Sequence, residues 1–328
     1  WSFATSSNWG ALTWSLTNGG ATSYLAFPLA QETAVIPSSS PNAAQTITVN
    51  GSYNIGTVDM SDRTANTMTL ATGTTSPTIY GNWVTGTGVT LSGTGSLTYA
   101  GRGSQTITSA GHSFTQPSII KSPCGSVALL DSFTSPNNFS VTAGTFDANG
   151  FNFTLSGAST TFLANSSTQK TIAIGSGTWT LAGSSTVWNP GTTANGNITG
   201  TGTISLTSAS AKTFAGAGFS YSGITLNQGG AGTLTITGNN TFGNITNTYS
   251  STGAANITIG TTTQTVNNWT ATGAAGKVLT VQGTTSTSPG TLILNSGTVS
   301  GVDYLKILGV RAYSTTSTWY AGANSTNY

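Results

Sequence analysis

The chain has 328 residues, a formal net charge of +2 and only 4% charged residues, against 36% hydrophobic and 9% aromatic. Ordinary soluble domains carry about 25% charge, so acid–base and metal chemistry are poorly equipped here, and +2 excludes the basic footprint that nucleic acid or an anionic membrane demands. This much apolar content without net charge also excludes the composition of a disordered chain.

The basic residues Arg63, Arg102, Lys121, Lys170, Lys212, Lys277, Lys306 and Arg311 are scattered. No apolar run approaches the roughly 18 residues of a membrane span; the best, residues 24–30, contains Pro28. No membrane insertion and no nucleic-acid partner are expected. The single cysteine, Cys124, permits no internal disulfide. The chain opens on Trp1 with no basic-apolar leader, so the expectation is a processed form or a fragment.

Residues 1–44 read as an N-terminal cap or junction. Trp1, Trp9 and Trp14 lie close together, and Pro28, Pro37 and Pro41 break any long strand. A stack of coils needs such a cover, because an open edge pairs with other chains.

Residues 45–313 alternate apolar and small polar residues. The pairs Ile47/Val49, Met68/Leu70, Val89/Leu91, Leu97/Tyr99, Ile172/Ile174, Trp179/Leu181, Ile204/Leu206, Leu234/Ile236 and Leu279/Val281, with the triplet Phe151/Phe153/Leu155, carry the pattern. Thr, Ser and Asn stand between them. Period two puts one strand face in a core and the other in solvent, and Thr and Val favour strands. Comparable phrases recur about every 20–25 residues, the length of one solenoid coil. A shift of 107 positions also aligns Gly93-Thr-Gly-Ser-Leu97 with Gly200-Thr-Gly-Thr-Ile204. The same shift sets Gln105, Ala110, Gly111, His112, Phe114 and Ile119 on Lys212, Ala217, Gly218, Phe219, Tyr221 and Leu226. The expected fold is all-β: an elongated parallel β-helix (β-solenoid) of roughly ten or more coils. The 107-residue repeat leaves tandem β-sandwich domains as the alternative. Residues 314–328 read as an irregular C-terminal segment that continues beyond this sequence.

Three phrases carry a resemblance: Gly144-Thr-Phe-Asp-Ala-Asn-Gly-Phe-Asn152, Ala211-Lys-Thr-Phe-Ala-Gly-Ala-Gly218, and Val302-Asp-Tyr-Leu-Lys306 followed by Trp319-Tyr-Ala-Gly-Ala-Asn-Ser-Thr326. With them, residues 45–326 resemble the Thr/Gly-rich β-solenoid structural proteins, fibre-like or adhesin-like, of tailed bacteriophages. The resemblance implies a structural role and brings no catalytic residues. Its closing phrase usually runs into a Gly-Trp-aromatic ending, which again points to a fragment.

The acids are Glu32, Asp59, Asp62, Asp131, Asp147 and Asp303. A polysaccharide-cleaving site needs two carboxylates about 5–10 Å apart. Asp59 and Asp62 are the only close pair, and adjacent Arg63 makes a surface charge pair the expectation. Asp131 would reach Asp59 or Asp147 only if the coils aligned them. Asp147 reads as a turn residue, and Asp303 as the outward face of a strand. His112, the sole histidine, replaces Phe219 in the repeat and reads as structural. Without a second His or a Cys pair no His/Cys metal site forms, and the Gly/Asp nonapeptide calcium pattern is absent. Cys124 follows Pro123 with no activating base. The Gly93 and Gly200 phrases precede no helix, so they are not phosphate cradles. The Asn-x-Ser/Thr triplets at Asn138, Asn152, Asn165, Asn197, Asn239, Asn244, Asn256, Asn268 and Asn324 arise from composition.

No catalytic, cofactor-binding or metal-binding residue is assigned. The expected function is a non-enzymatic virion structural protein, a rigid fibre or surface decoration for assembly or attachment to host or glycan surfaces. The expected partners are other virion proteins, host-surface glycans and copies of itself, as a trimer by analogy with phage fibres. The alternatives are a tailspike-type polysaccharide depolymerase and a bacterial cell-surface adhesin.

Overall fold

A computed structural model describes residues 7–11, 14–15, 22–23, 27–38, 44–65, 67–314 and 318–328; Trp1 and Pro41 lie outside them. The fold is a parallel β-solenoid, about twelve turns in all. The chain divides into two compact units, residues 1–151 with 168–170, and residues 152–167 with 171–328.

The first unit stacks short strands on three faces. On one, Gln45–Thr48, Met68–Ala71 and Val89–Ser92 pair in parallel, so that Ile47, Leu70 and Leu91 form one inward column. On the second, Ile55, Ile79, Tyr99, Ile120 and Val141 stack in the same way. The third runs through Ala34, Val58, Trp83, Ile107 and Leu129. Most of these inward residues are flanked by an outward Thr, Ser or Asn; Ile120, between Ile119 and Lys121, and Leu129, between Ala128 and Leu130, are the exceptions. Phe114, Phe133, Phe139 and Phe146 make a continuous ring chain in the core, with centroids 4.6–5.4 Å apart.

In the second unit, Thr178–Leu181, Thr203–Leu206 and residues 225–228 stack with Thr opposite Thr: Thr178, Thr203, then Thr225. The inward column beside it reads Trp179, Ile204, Leu226 and Ile245. A second inward column reads Phe162, Trp188, Phe214 and Ile236. Every residue of the sequence-defined inward pairs is buried, and Phe151 alone of the triplet is only half-buried. The like-on-like stacking explains how so few charges suffice: strand backbone groups pair with the coil above or below, and turn amides bond within their turns.

Parallel pairing also reaches beyond residues 45–313. Thr33–Val35 pairs with Thr57–Asp59, Ser7–Asn8 pairs with Ile47 and Thr48, and Thr326–Asn327 pairs with Lys306 and Ile307. Trp9 and Trp14 are buried against each other, ring centroids 4.8 Å apart, and the Trp14 indole N–H donates to the Trp9 carbonyl.

The 107-residue repeat marks equivalent corners rather than sandwich domains. Gly93 and Gly200 both turn at positive φ, +108° and +132°. So do Ala110 and Ala217, at +51° and +57°. Gln105 and Lys212 both turn buried donors onto backbone carbonyls at the corner. Phe114 and Tyr221 are both core, while His112 is half-buried where Phe219 is buried.

Candidate functional site

The carboxylates are scattered over the coils, with Asp59 and Asp62 the one close pair, and five of the six accept hydrogen bonds from their own turn or a neighbouring coil. Glu32 accepts from the Leu29 amide at 2.8 Å. Asp59 accepts from the amide and hydroxyl of Ser61 at 3.0 and 2.7 Å. Asp147 accepts from the Asn149 amide at 2.7 Å, the Asx turn its sequence suggests. Asp131 reaches the neighbouring coil and takes the amides of Ser109 and Ala110, each at 2.7 Å. That clamp holds Ala110 in its left-handed conformation. Asp131→Ala should therefore lower stability by about 1–3 kcal/mol through two orphaned amides, read as a lower urea midpoint.

Two sequence expectations are corrected. Arg63 does not make a surface pair: its side chain is fully buried, and Nη1 donates to the Pro37 carbonyl at 2.7 Å, while Asp62 is exposed in the turn. Its chain is long enough to carry the guanidinium to a corner carbonyl, which a linear reading does not see. Asp303 is not on a strand, which begins only at Leu305. It sits in the preceding turn, taking the amides of Tyr304 and Asn324 at 2.8 and 2.9 Å and the Asn324 side chain at 2.7 Å. Those bonds, the Asn324 side chain first, hold its carboxyl below the usual carboxylate range.

His112 places Nε2 3.1 Å from the Gly86 carbonyl of the adjacent coil. Cys124 is an exposed free thiol. At Gly95 a Cβ would lie 1.5 Å from the Thr75 carbonyl oxygen, and at Gly202 2.2 Å from that of Gly177, so these glycines permit close approach of coils. Among the described residues, no three His, Cys, Asp or Glu side chains gather into a metal-binding group, and no helix is long and apolar enough to cross a membrane.

The outward amides act as staples between coils. Asn82, Asn152, Asn239 and Asn268 accept from the amides of Thr106, Thr178, Thr263 and Thr298 at 2.9–3.1 Å. Asn244 donates to the Thr270 hydroxyl at 2.9 Å, and Asn227 to those of Ser205 and Thr248 at 2.9 Å. The Asn-x-Ser/Thr asparagines 152, 239, 244 and 268, and Asn324 through Asp303, are thus tied into the stack.

The chain matches no known protein family, no curated protein and no solved structure. The geometry alone therefore selects the sites, and among the described residues of the second unit two open cavities stand out.

One, of about 260 Å³, lies beside the last coils and is lined by inward residues such as Trp269, Leu292 and Leu305, with Trp319 and Tyr320 over them. The other, of about 440 Å³, is a polar cleft between Gly196–Thr199 and the start of Ser220–Gln228. Its lining includes exposed Asn197, Thr199, Ser220 and Ser222 over buried Ile198, Phe219, Tyr221 and Ile224. None of its lining residues is charged.

Sequence reading also missed Lys212. Its ammonium is buried and donates to the carbonyls of Ser208 and Gly232 at 3.1 and 2.6 Å, with that of Gly230 at 3.5 Å. Burial pushes its pKa from 10.5 down to about 8. Between those values the unfolded chain binds more protons than the folded one, so stability rises with pH. Burial moves the Tyr99 and Tyr221 hydroxyls the other way, which reverses the trend above about pH 10. A urea midpoint that climbs from about pH 8 to 9.5, and climbs less in Lys212→Met, is the expected result.

Proposed function

We propose that this chain is a non-enzymatic virion structural protein, a rigid β-solenoid fibre or surface decoration that mediates assembly, attachment to host or glycan surfaces, or both. The observation that carries this reading is the coil-to-coil stapling. Hydroxyls, amides and Asp131 are tied to the next coil, so polar groups serve stiffness and leave a sparsely charged, hydrogen-bonding exterior. Carboxylates spent on backbone amides have their orientation set by those donors and are poorly placed to work as a general acid–base pair. The low charge favours dense packing against copies of the same chain without self-repulsion.

Mass spectrometry of purified virions, with a low-resolution map to place the chain on the particle, tests the reading. Recovery at a fixed copy number per particle is the expected result. Recovery only from host cell envelopes would replace it with a cell-surface adhesin.

A further inference from the structure

The polar cleft of the second unit gathers untied polar side chains in one concave site. Several outward amides elsewhere are tied to neighbouring coils. Among the described residues, the side chains of Asn197, Thr199, Ser220 and Ser222 make no hydrogen bond within the chain, although all four are exposed and line one cleft of about 440 Å³. Each pair sits at i and i+2 of one strand, so its two polar groups stand about 6.6–6.8 Å apart on the same face. The residues between them, Ile198 and Tyr221, are buried beneath. Gly223 allows the Gly200 backbone to approach closely at the cleft, since a Cβ there would lie 2.5 Å from the Gly200 carbonyl oxygen.

We propose that this cleft binds an uncharged polysaccharide segment, resting on the attachment reading above. A sugar ring has hydroxyls at its rim and a C–H face between them. The neutral amide and hydroxyls lining the cleft complement the rim hydroxyls with no charge involved. An anionic sugar would find no cation in the lining, and its desolvated carboxylate would go unpaired. Neutral recognition also makes binding independent of salt, because no ion pair is screened.

The test is binding of the purified chain to immobilised dextran, mannan, galactan and xylan, with alginate and polygalacturonate as acidic comparators. The expected result is binding to at least one neutral polymer, unchanged between low and high salt, and none to the acidic ones. Asn197→Ala with Ser222→Ala removes two hydrogen-bonding groups and should weaken that binding about tenfold or more, with the melting temperature unchanged. Thr235→Ala, on another outward face, should bind as the parent does. Binding only to the acidic polymers, or to none, overturns the proposal. So does a double variant that binds like the parent. Each of these leaves the virion assignment to be judged by its own mass-spectrometric test.

Discussion

Replacing Trp188 with Ala should destabilise the second unit by about 3–5 kcal/mol, the cost of removing a large aromatic from a packed core. The indole lies between two rings. Phe162 is stacked on it at 4.8 Å and 13°, and Phe214 at 5.7 Å and 2°. Its N–H donates to the Tyr221 hydroxyl at 3.0 Å, and Tyr221 in turn donates to the Gly216 carbonyl. Truncation leaves a cavity inside a column that continues to Phe214 and Ile236, and rings fixed by stacked coils cannot collapse into it. Trp188→Phe keeps the stack and loses the hydrogen bond, so about 1 kcal/mol is expected. Urea unfolding followed by circular dichroism measures both, and equal small effects would show that the column does not carry the core.

Gly144→Ala should be nearly as damaging in the first unit. Gly144 has φ +78°, which costs an L residue about 1–2 kcal/mol. The added Cβ would also lie 1.8 Å from the Ser122 carbonyl oxygen and 2.8 Å from that of Gly125. Both obstacles are backbone of the adjacent coil, so the strand Phe139–Asp147 must move as a whole. A loss of several kcal/mol is expected. Gly103→Ala is the control: nothing lies within 4 Å of its Cβ, so a change within about 0.5 kcal/mol is expected. Similar melting temperatures for the two variants would refute the close-approach account.

The fold was largely legible because inward columns write themselves into the sequence as period two. Trp179 and Leu181, or Met68 and Leu70, need no partner information to be placed inside. Coil length was legible from the recurrence of such phrases. The corners were not. Arg63, Lys212 and Asp303 take their roles from carbonyls and amides about 20 or more residues away, and backbone groups leave no trace in residue identity. One signal did exist for Lys212: the 107-residue shift sets it on Gln105, another donor, at the same kind of corner. The cleft was illegible for a similar reason. Asn197 and Asn239 look alike in sequence, and only the position of the neighbouring coil decides that one is tied and the other open.

The staples have a further consequence for how such a chain changes over evolutionary time. Asn152, Asn239 and Asn268 each bond one coil onward and no further. A coil removed or copied whole brings equivalent donors and acceptors into contact at the new junction. The coil is thus the natural quantum of insertion and deletion, and gene-level slippage by one repeat tunes length without redesigning a core. The 107-residue similarity then reads as the trace of a block of about four to five coils duplicated together.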